Sequence, residues 1–205
     1  MHDQRFWRTE RAAGLFLVLG CAANLTGVLM FWFRDGVSGR MPPSPAYYTW
    51  ERSFILAAVV LTAIGFVLLE EHPNLGDGRV LARTGAIAYL FAGVLGVLYE
   101  AIELTRTQNL YPVIVVYVVL AFLAQAAIGG GLRQARLLAP WIGWATILWN
   151  LAWLLALPLL TPRDIYYPVL HHAMPLLIGA ALLRQSLFPR GSPRQTGPQE
   201  ATLPQ

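Results

Sequence analysis

The sequence contains no lysine, since all fifteen of its basic residues are arginine. A Walker A phosphate loop and a Schiff-base mechanism both need a lysine amine, so the sequence excludes both chemistries. The only cysteine is Cys21, which can form neither an intrachain disulfide nor a CxxC redox pair. Chemistry that depends on paired thiols within the chain is therefore excluded as well.

Charge is also scarce, because charged residues make up 13% of the chain, whereas a soluble domain carries about 25%. Hydrophobic residues make up 56%, and the mean hydropathy is +0.51. The apolar residues lie in long runs, which indicates that a lipid bilayer rather than water surrounds them. The arginines are spread over separate segments and form no basic patch, so we expect no nucleic-acid partner.

Six apolar windows are long enough to cross a bilayer, which takes about 20 residues of α-helix. Such segments are helical because hydrocarbon offers no water to pair with exposed backbone groups. We therefore predict an all-α membrane protein in which residues 1–187 form one polytopic bundle of six transmembrane helices. The predicted spans are 12–33, 53–69, 83–104, 111–132, 138–160 and 166–183.

The distribution of arginine predicts the orientation of this bundle. Ten arginines lie in the segments on the side of the N-terminus, at positions 5, 8, 11, 79, 83, 133, 136, 184, 190 and 194. Five lie on the other side, at positions 34, 40, 52, 106 and 163. The positive-inside rule then predicts that both termini are cytoplasmic, and we expect a bacterial cytoplasmic membrane. Residues 188–205 are rich in Pro, Gly, Gln and Ser, so we expect a disordered cytoplasmic tail.

The first helix could in principle be a cleaved signal, because arginines precede an apolar stretch that leads to Cys21. A cleaved signal turns polar after its short apolar core. Here the apolar run continues to Phe33. We therefore expect Cys21 to remain inside an uncleaved first helix.

Several ionisable residues lie at depths where a membrane disfavours them. Glu100 and Glu103 share a face near the end of the third window, and His171 and His172 lie near the start of the sixth. Both pairs should lie roughly 5–10 Å below the outer surface, where Glu51 stands at the same mouth. A charge at the bilayer centre costs about 2.5–3.5 kcal/mol and less near the interface, so these side chains should face the bundle interior.

These residues support two interpretations. In the first, helices 3 and 6 form an outward-facing polar pocket that binds a small molecule or a cation, with a divalent metal as one such ligand and no organic cofactor. In the second, the groups form a structural cluster in which Glu100 pairs with Arg52 or Arg106. No HExxH motif or closely spaced ligand triplet is present to strengthen the metal interpretation.

Amides and glycines inside the spans indicate contacts between helices. Asn24 and Asn150 lie midway along helices 1 and 5, where they could line a path or form hydrogen bonds between helices, and Gln125 invites the same interpretation. Small residues let helix backbones approach closely. We therefore expect close helix contacts at Gly14, Gly20 and Gly27 on helix 1 and at 129–131 on helix 4.

Three classes of function follow, and the first is preferred. The protein could bind or transport an ion or small molecule through the outward-facing pocket. It could be an accessory or assembly protein without chemistry of its own, bound to a membrane partner or to further copies of itself. It could also be a membrane-embedded enzyme with Glu100 or Glu103 as base and a histidine partner, although no nucleophile elbow or cofactor motif supports catalysis.

Overall fold

The computed structural model describes residues 2–36, 44–105, 111–161 and 168–187. Within these ranges the chain forms six α-helices and a short 3-10 helix, which confirms the predicted all-α fold. The α-helices are α1 (His2–Gly36), α2 (Pro45–Glu70), α3 (Arg79–Thr105), α4 (Tyr111–Ala135), α5 (Pro140–Leu160) and α6 (Pro168–Leu187), and the 3-10 helix Pro73–Gly78 joins α2 to α3. The predicted tail, 188–205, lies outside the described residues.

Five segments are long and apolar enough to cross a membrane, namely Thr9–Arg34, Pro45–Glu70, Pro73–Ile102, Tyr111–Ala135 and Pro140–Leu160. They overlap the first five predicted spans and support an integral, multi-pass membrane protein. The sixth helix, α6, is less apolar, because its 20 residues include His171, His172 and Pro175 and its last turns carry Arg184 and Gln185. Its predicted span also begins at 166, which lies outside the described residues.

The surface of the bundle is more apolar than that of a soluble protein. Large apolar side chains such as Phe91, Leu155 and Leu159 are exposed by 64%, 72% and 82%. Polar and ionisable side chains lie inside instead, among them Glu51 and Glu100. Apolar side chains thus cover the outside of the bundle, where lipid would contact them, and these ionisable side chains are kept away from lipid.

Proline and side-chain caps fix where the helices begin. Pro45, Pro112, Pro140 and Pro168 lie in the first turns of four helices, where the missing N–H costs no helical hydrogen bond. Before α2, the Ser44 hydroxyl accepts a hydrogen bond from a backbone N–H in the first turn. These starts divide the apolar windows into separate helices.

The helices follow one another around the bundle in chain order. α1 packs along α2 and α6, α3 packs along α2 and α4, and α4 packs along α5, whereas α5 and α6 touch less extensively. Consecutive helices run antiparallel, so their ends meet on two faces. We call the face that holds Arg11 and Ser186 the N-terminal face and the face that holds Arg34 and Glu51 the opposite face. Among the described residues α3 and α6 do not pack along each other, whereas α4 contacts both.

Glycines set the spacing at two helix crossings. A Cβ on Gly14 of α1 would lie 3.0 Å from the carbonyl oxygen of Gly179 on α6, and a Cβ on Gly179 would lie 2.9 Å from that of Gly14. Gly129 of α4 and Gly143 of α5 have the same relationship, with 2.9 Å in both directions. The close helix contacts predicted at Gly14 and Gly129 are therefore confirmed.

Candidate functional site

Four charged side chains meet inside the opposite face, and we call them the charged cluster. Arg52 Nη1 of α2 lies 3.0 Å from Glu100 Oε2 of α3. Glu51 Oε1 lies 3.5 Å from Arg52 Nε and 3.4 Å from Arg34 Nη1 of α1. Glu51 and Glu100 are 0% and 1% exposed. Three helices thus contribute two guanidinium groups and two carboxylates whose charges cancel.

Aromatic rings surround the two guanidinium groups of the charged cluster. The Tyr48 ring lies 5.6 Å from the guanidinium carbon of Arg34 and 5.1 Å from that of Arg52, and the Phe31 ring lies 4.7 Å from that of Arg34. Cation–π contacts at these distances stabilise a desolvated cation. The rings therefore help to hold both arginines inside the bundle.

The depth of the charged cluster follows from its position along the helices. Glu51 is six residues from the start of α2 and Glu100 is five residues from the end of α3. At 1.5 Å per residue, both lie roughly 7–9 Å inside the helix ends. An unpaired carboxylate at this depth would be costly. The partner that Glu100 finds is Arg52, one of the two arginines expected from the sequence.

His171 occupies an aromatic sandwich in the middle of the bundle. Its ring stacks on Phe122 with centroids 4.3 Å apart and on Tyr117 with centroids 5.5 Å apart, and both residues belong to α4. The imidazole is 0% exposed. Neither of its ring nitrogens has a hydrogen-bond partner among the described residues. A polar ring thus lies in an apolar slot with its nitrogens unsatisfied.

Tyr117 of α4 contacts both α3 and His171. It is 1% exposed, and its ring stacks on that of His171. A Cβ on Gly96 of α3, one turn before Glu100, would lie 3.1 Å from the Tyr117 ring. α4 thus supplies a residue that packs beside the helix of Glu100 and also against His171.

Three consecutive carbonyl groups of α6 accept hydrogen bonds from three other helices. Trp149 Nε1 donates to the Leu170 oxygen at 3.0 Å, Gln125 Nε2 donates to the His171 oxygen at 2.8 Å, and Cys21 Sγ donates to the His172 oxygen at 3.0 Å. Pro175 explains the middle bond. A proline has no N–H, so the carbonyl four residues earlier lacks its helical partner.

The buried amides behave differently from one another. Gln125 bonds across helices, as one of its predicted roles required. Asn150 Nδ2 donates instead to the Thr146 oxygen of its own helix at 2.7 Å. Asn24 is buried at 3% exposure, and its Oδ1 has no partner among the described residues. Asn24 and Asn150 are thus inside the bundle as expected, without an observed hydrogen bond to another helix.

Two of the predicted site residues, His172 and Glu103, add little to the description of the site. His172 is 4% exposed and presents its carbonyl to Cys21. The side chain of Glu103 lies outside the described part of the chain. In the described residues, no group of three or more His, Cys, Asp or Glu side chains could hold a metal ion. The geometry therefore offers no support for a divalent metal.

Sequence reasoning did not single out Tyr117 and Phe122, which hold His171, and it treated Arg34 only as an orientation signal. A signal for Tyr117 was present, because a tyrosine deep in an apolar span needs a polar partner for its hydroxyl. Phe122 gave no signal, since one phenylalanine among apolar residues resembles any other.

Three side chains of this region carry groups that can gain or lose a proton. Carboxylate, phenol and imidazole follow one another from the opposite face toward the bundle centre, in Glu100, Tyr117 and His171. Chains of such groups inside a membrane are typical of ion pathways and proton relays. No protein-family model, no curated protein and no solved structure matches this chain.

Proposed function

We propose that this protein is a multi-pass membrane protein that binds and transports a small ion through the polar interior of its bundle. The observation that carries the proposal is the charged cluster buried inside the opposite face, together with Tyr117, which packs on α3 one turn from Glu100 and stacks on His171. Replacing a buried ion pair with well-packed apolar residues is often neutral or stabilising, so stability alone gives little reason to keep one. Ionisable residues inside membranes usually serve function.

The proton is the ion that fits the charged cluster best. Both carboxylates already face guanidinium groups, so a metal cation would have to displace an arginine before it could bind. A proton needs no such space. Adding it to Glu100 would neutralise the carboxylate and weaken the hold on Arg52 at 3.0 Å. Arg52 would then be free to turn toward Glu51, its other partner.

The proposal includes six transmembrane spans with both termini in the cytoplasm. The ten-to-five distribution of arginine supports this orientation. In this orientation the charged cluster lies at the outer side of the membrane, and the inner side holds Arg11, Arg83 and Arg133. Protons would then enter the polar interior from outside through the charged cluster.

Purified protein in liposomes that contain a pH-sensitive dye would test the proposal. A potassium gradient with valinomycin sets the membrane potential, and proton entry is followed by the fluorescence of the dye. We expect protein-dependent entry that Glu100→Gln slows severalfold. Glu70→Gln is the matched control, because Glu70 pairs with the exposed Arg83 on the N-terminal face at 3.6 Å. Entry no faster than in empty liposomes, or equal loss in both variants, would contradict the proposal.

A second candidate is an accessory or assembly protein without transport. The hydrogen bonds from Cys21, Gln125 and Trp149 to α6 favour it, because they bind helices to one another. In that case Glu100→Gln would lower the thermal midpoint of unfolding while the liposomes remain proton-tight. Cross-linking in native membranes would then show a larger partner or a second copy of the chain.

A further inference from the structure

Several buried side chains hold polar atoms that have no hydrogen-bond partner among the described residues, and three of these side chains lie on helices that contact one another. The atoms concerned are Gln125 Oε1 of α4, Asn150 Oδ1 of α5, and both ring nitrogens of His171 of α6. The three side chains are 1%, 0% and 0% exposed. Leaving a buried polar group unsatisfied costs about 1–3 kcal/mol. Four such atoms on three contacting helices therefore call for a ligand.

Contacts between the helices place these three residues in one layer of the bundle. Gln125 bonds directly to the carbonyl of His171 at 2.8 Å. Trp149, the residue before Asn150, bonds to the carbonyl of Leu170, the residue before His171. The α4–α5 crossing agrees with this placement. A Cβ on Gly129 would lie 2.9 Å from Thr146 Cβ, and one turn beyond this contact the antiparallel helices bring Gln125 level with Asn150.

The unsatisfied atoms indicate which ligand they would take. The two amide oxygens are acceptors, and a neutral imidazole has one N–H donor and one acceptor nitrogen. Together the atoms offer three acceptors and one donor. A cation would satisfy acceptors and leave the imidazole N–H unpaired. Water both donates and accepts, and it is the usual partner of polar groups buried in this way.

We propose that Gln125, Asn150 and His171 enclose a binding site for ordered water, and that this water exchanges protons with His171. The second part rests on the proposed function, whereas the first part does not. A hydronium ion on one side would give a proton to the unprotonated ring nitrogen, so that its O–H bond breaks, an N–H bond forms and neutral water remains. The N–H bond at the other nitrogen would then break and its proton would pass to a water on that side, which becomes hydronium, so the imidazole returns to the neutral state.

Hydroxyl-radical footprinting of the purified protein by X-ray radiolysis would test the site, because radicals form from bound water and oxidise the nearest side chains. Phe122 stacks on His171 and is 0% exposed, so bulk water does not reach its ring. We expect Phe122 to be oxidised despite this burial. A Phe122 ring that stays unoxidised would overturn the proposal.

Asn150→Leu gives a second comparison, because Leu has a similar volume and removes one acceptor. Within the described residues Asn150 bonds only to its own helix, so the variant should keep its contacts with neighbouring helices. We expect the oxidation rate of Phe122 to fall severalfold, and an unchanged rate in a folded variant would contradict the site. If this variant does not fold, the oxidation of Phe122 in the native protein still decides.

The footprinting and liposome experiments separate the two proposals. Fast Phe122 oxidation with proton-tight liposomes would establish the water site and reject proton transport. Proton entry without Phe122 oxidation would reject the water site and leave the proposed function in place. If Asn150→Leu slows both proton entry and Phe122 oxidation, the result would support both the water site and proton transport.

Discussion

Gln125 Nε2 lies 2.8 Å from the carbonyl oxygen of His171, the carbonyl that Pro175 deprives of its helical hydrogen bond. The proline in α6 and the amide on α4 are thus two parts of one arrangement. Without Gln125 the His171 carbonyl would lack a partner, and without that carbonyl the Gln125 amide would lack one. A buried carbonyl or amide without a partner is unfavourable inside a membrane.

This relationship predicts that the effect of substituting Gln125 on stability depends on Pro175. Gln125→Leu should lower the free energy of unfolding by about 1–3 kcal/mol, since it leaves the His171 carbonyl unpaired. In a Pro175→Ala background the same substitution should cost less, because the introduced alanine supplies the missing backbone N–H. Thermal unfolding in detergent of the four proteins of this cycle measures the difference. Equal losses in both backgrounds would show that the two residues act independently.

The charged cluster predicts a strong effect of removing one charge. Glu100→Gln should lower the free energy of unfolding by about 3–5 kcal/mol, because it leaves Arg52 without its closest buried partner. Glu70→Gln should cost about 0–1 kcal/mol, since Arg83 is exposed. Unfolding in denaturing detergent compares the two variants. If Glu100→Gln were as mild as its control, the cluster would not be a desolvated network.

Two adjacent glycines on α4 predict opposite responses to alanine. At Gly129 a Cβ would lie 2.9 Å from the Gly143 oxygen, so Gly129→Ala should push α5 away and lower the thermal midpoint. At Gly130 the nearest atom is the flexible end of Leu81 at 3.2 Å. Gly130→Ala should be neutral, or stabilise by up to about 1 kcal/mol through helix propensity. The same loss at both positions would argue against the close α4–α5 crossing.

His72, between α2 and the 3-10 helix, predicts a pH dependence of stability. Burial lowers the pKa of His72 from 6.5 to about 4, and its Nδ1 accepts a hydrogen bond from the Asn74 N–H. Between these two values the unfolded chain binds a proton that the folded chain does not. Stability should therefore decline as pH falls from 6.5 toward 4, and His72→Gln should flatten this decline in thermal unfolding. An unchanged slope in His72→Gln would assign the decline to other groups.

The proposed orientation predicts which side of the membrane each segment faces. In a Cys21→Ser background, a cysteine at Ser192 should react with a membrane-impermeant maleimide only after the membrane is permeabilised. A cysteine at Thr107 should react from outside in intact cells. The reverse pattern would invert the orientation, and reaction of both positions from the same side would contradict the proposed arrangement of spans.

The sequence alone determined the class of fold and the depth of Glu51 and Glu100. Long apolar windows must be helical in lipid, because only helices and closed barrels satisfy their backbone there. Rise per residue then fixed how deep Glu51 and Glu100 lie along their helices. His171, which the sequence placed near the outer surface, lies instead beside Gln125 in the middle of the bundle. The sequence also reduced the partners of Glu100 to a short set that included Arg52.

The neighbours of these residues were decided only by the tertiary structure. Depth along a helix says nothing about which helix stands beside it, so matched depth suggested that α3 and α6 meet. Packing instead brought α4 against both helices, and Tyr117 of α4 packs on α3 and stacks on His171. The glycine crossings that set this order depend on pairs of residues far apart in the chain, such as Gly14 with Gly179. The sequence around one glycine does not reveal its partner, because the close approach depends on the backbone of another helix.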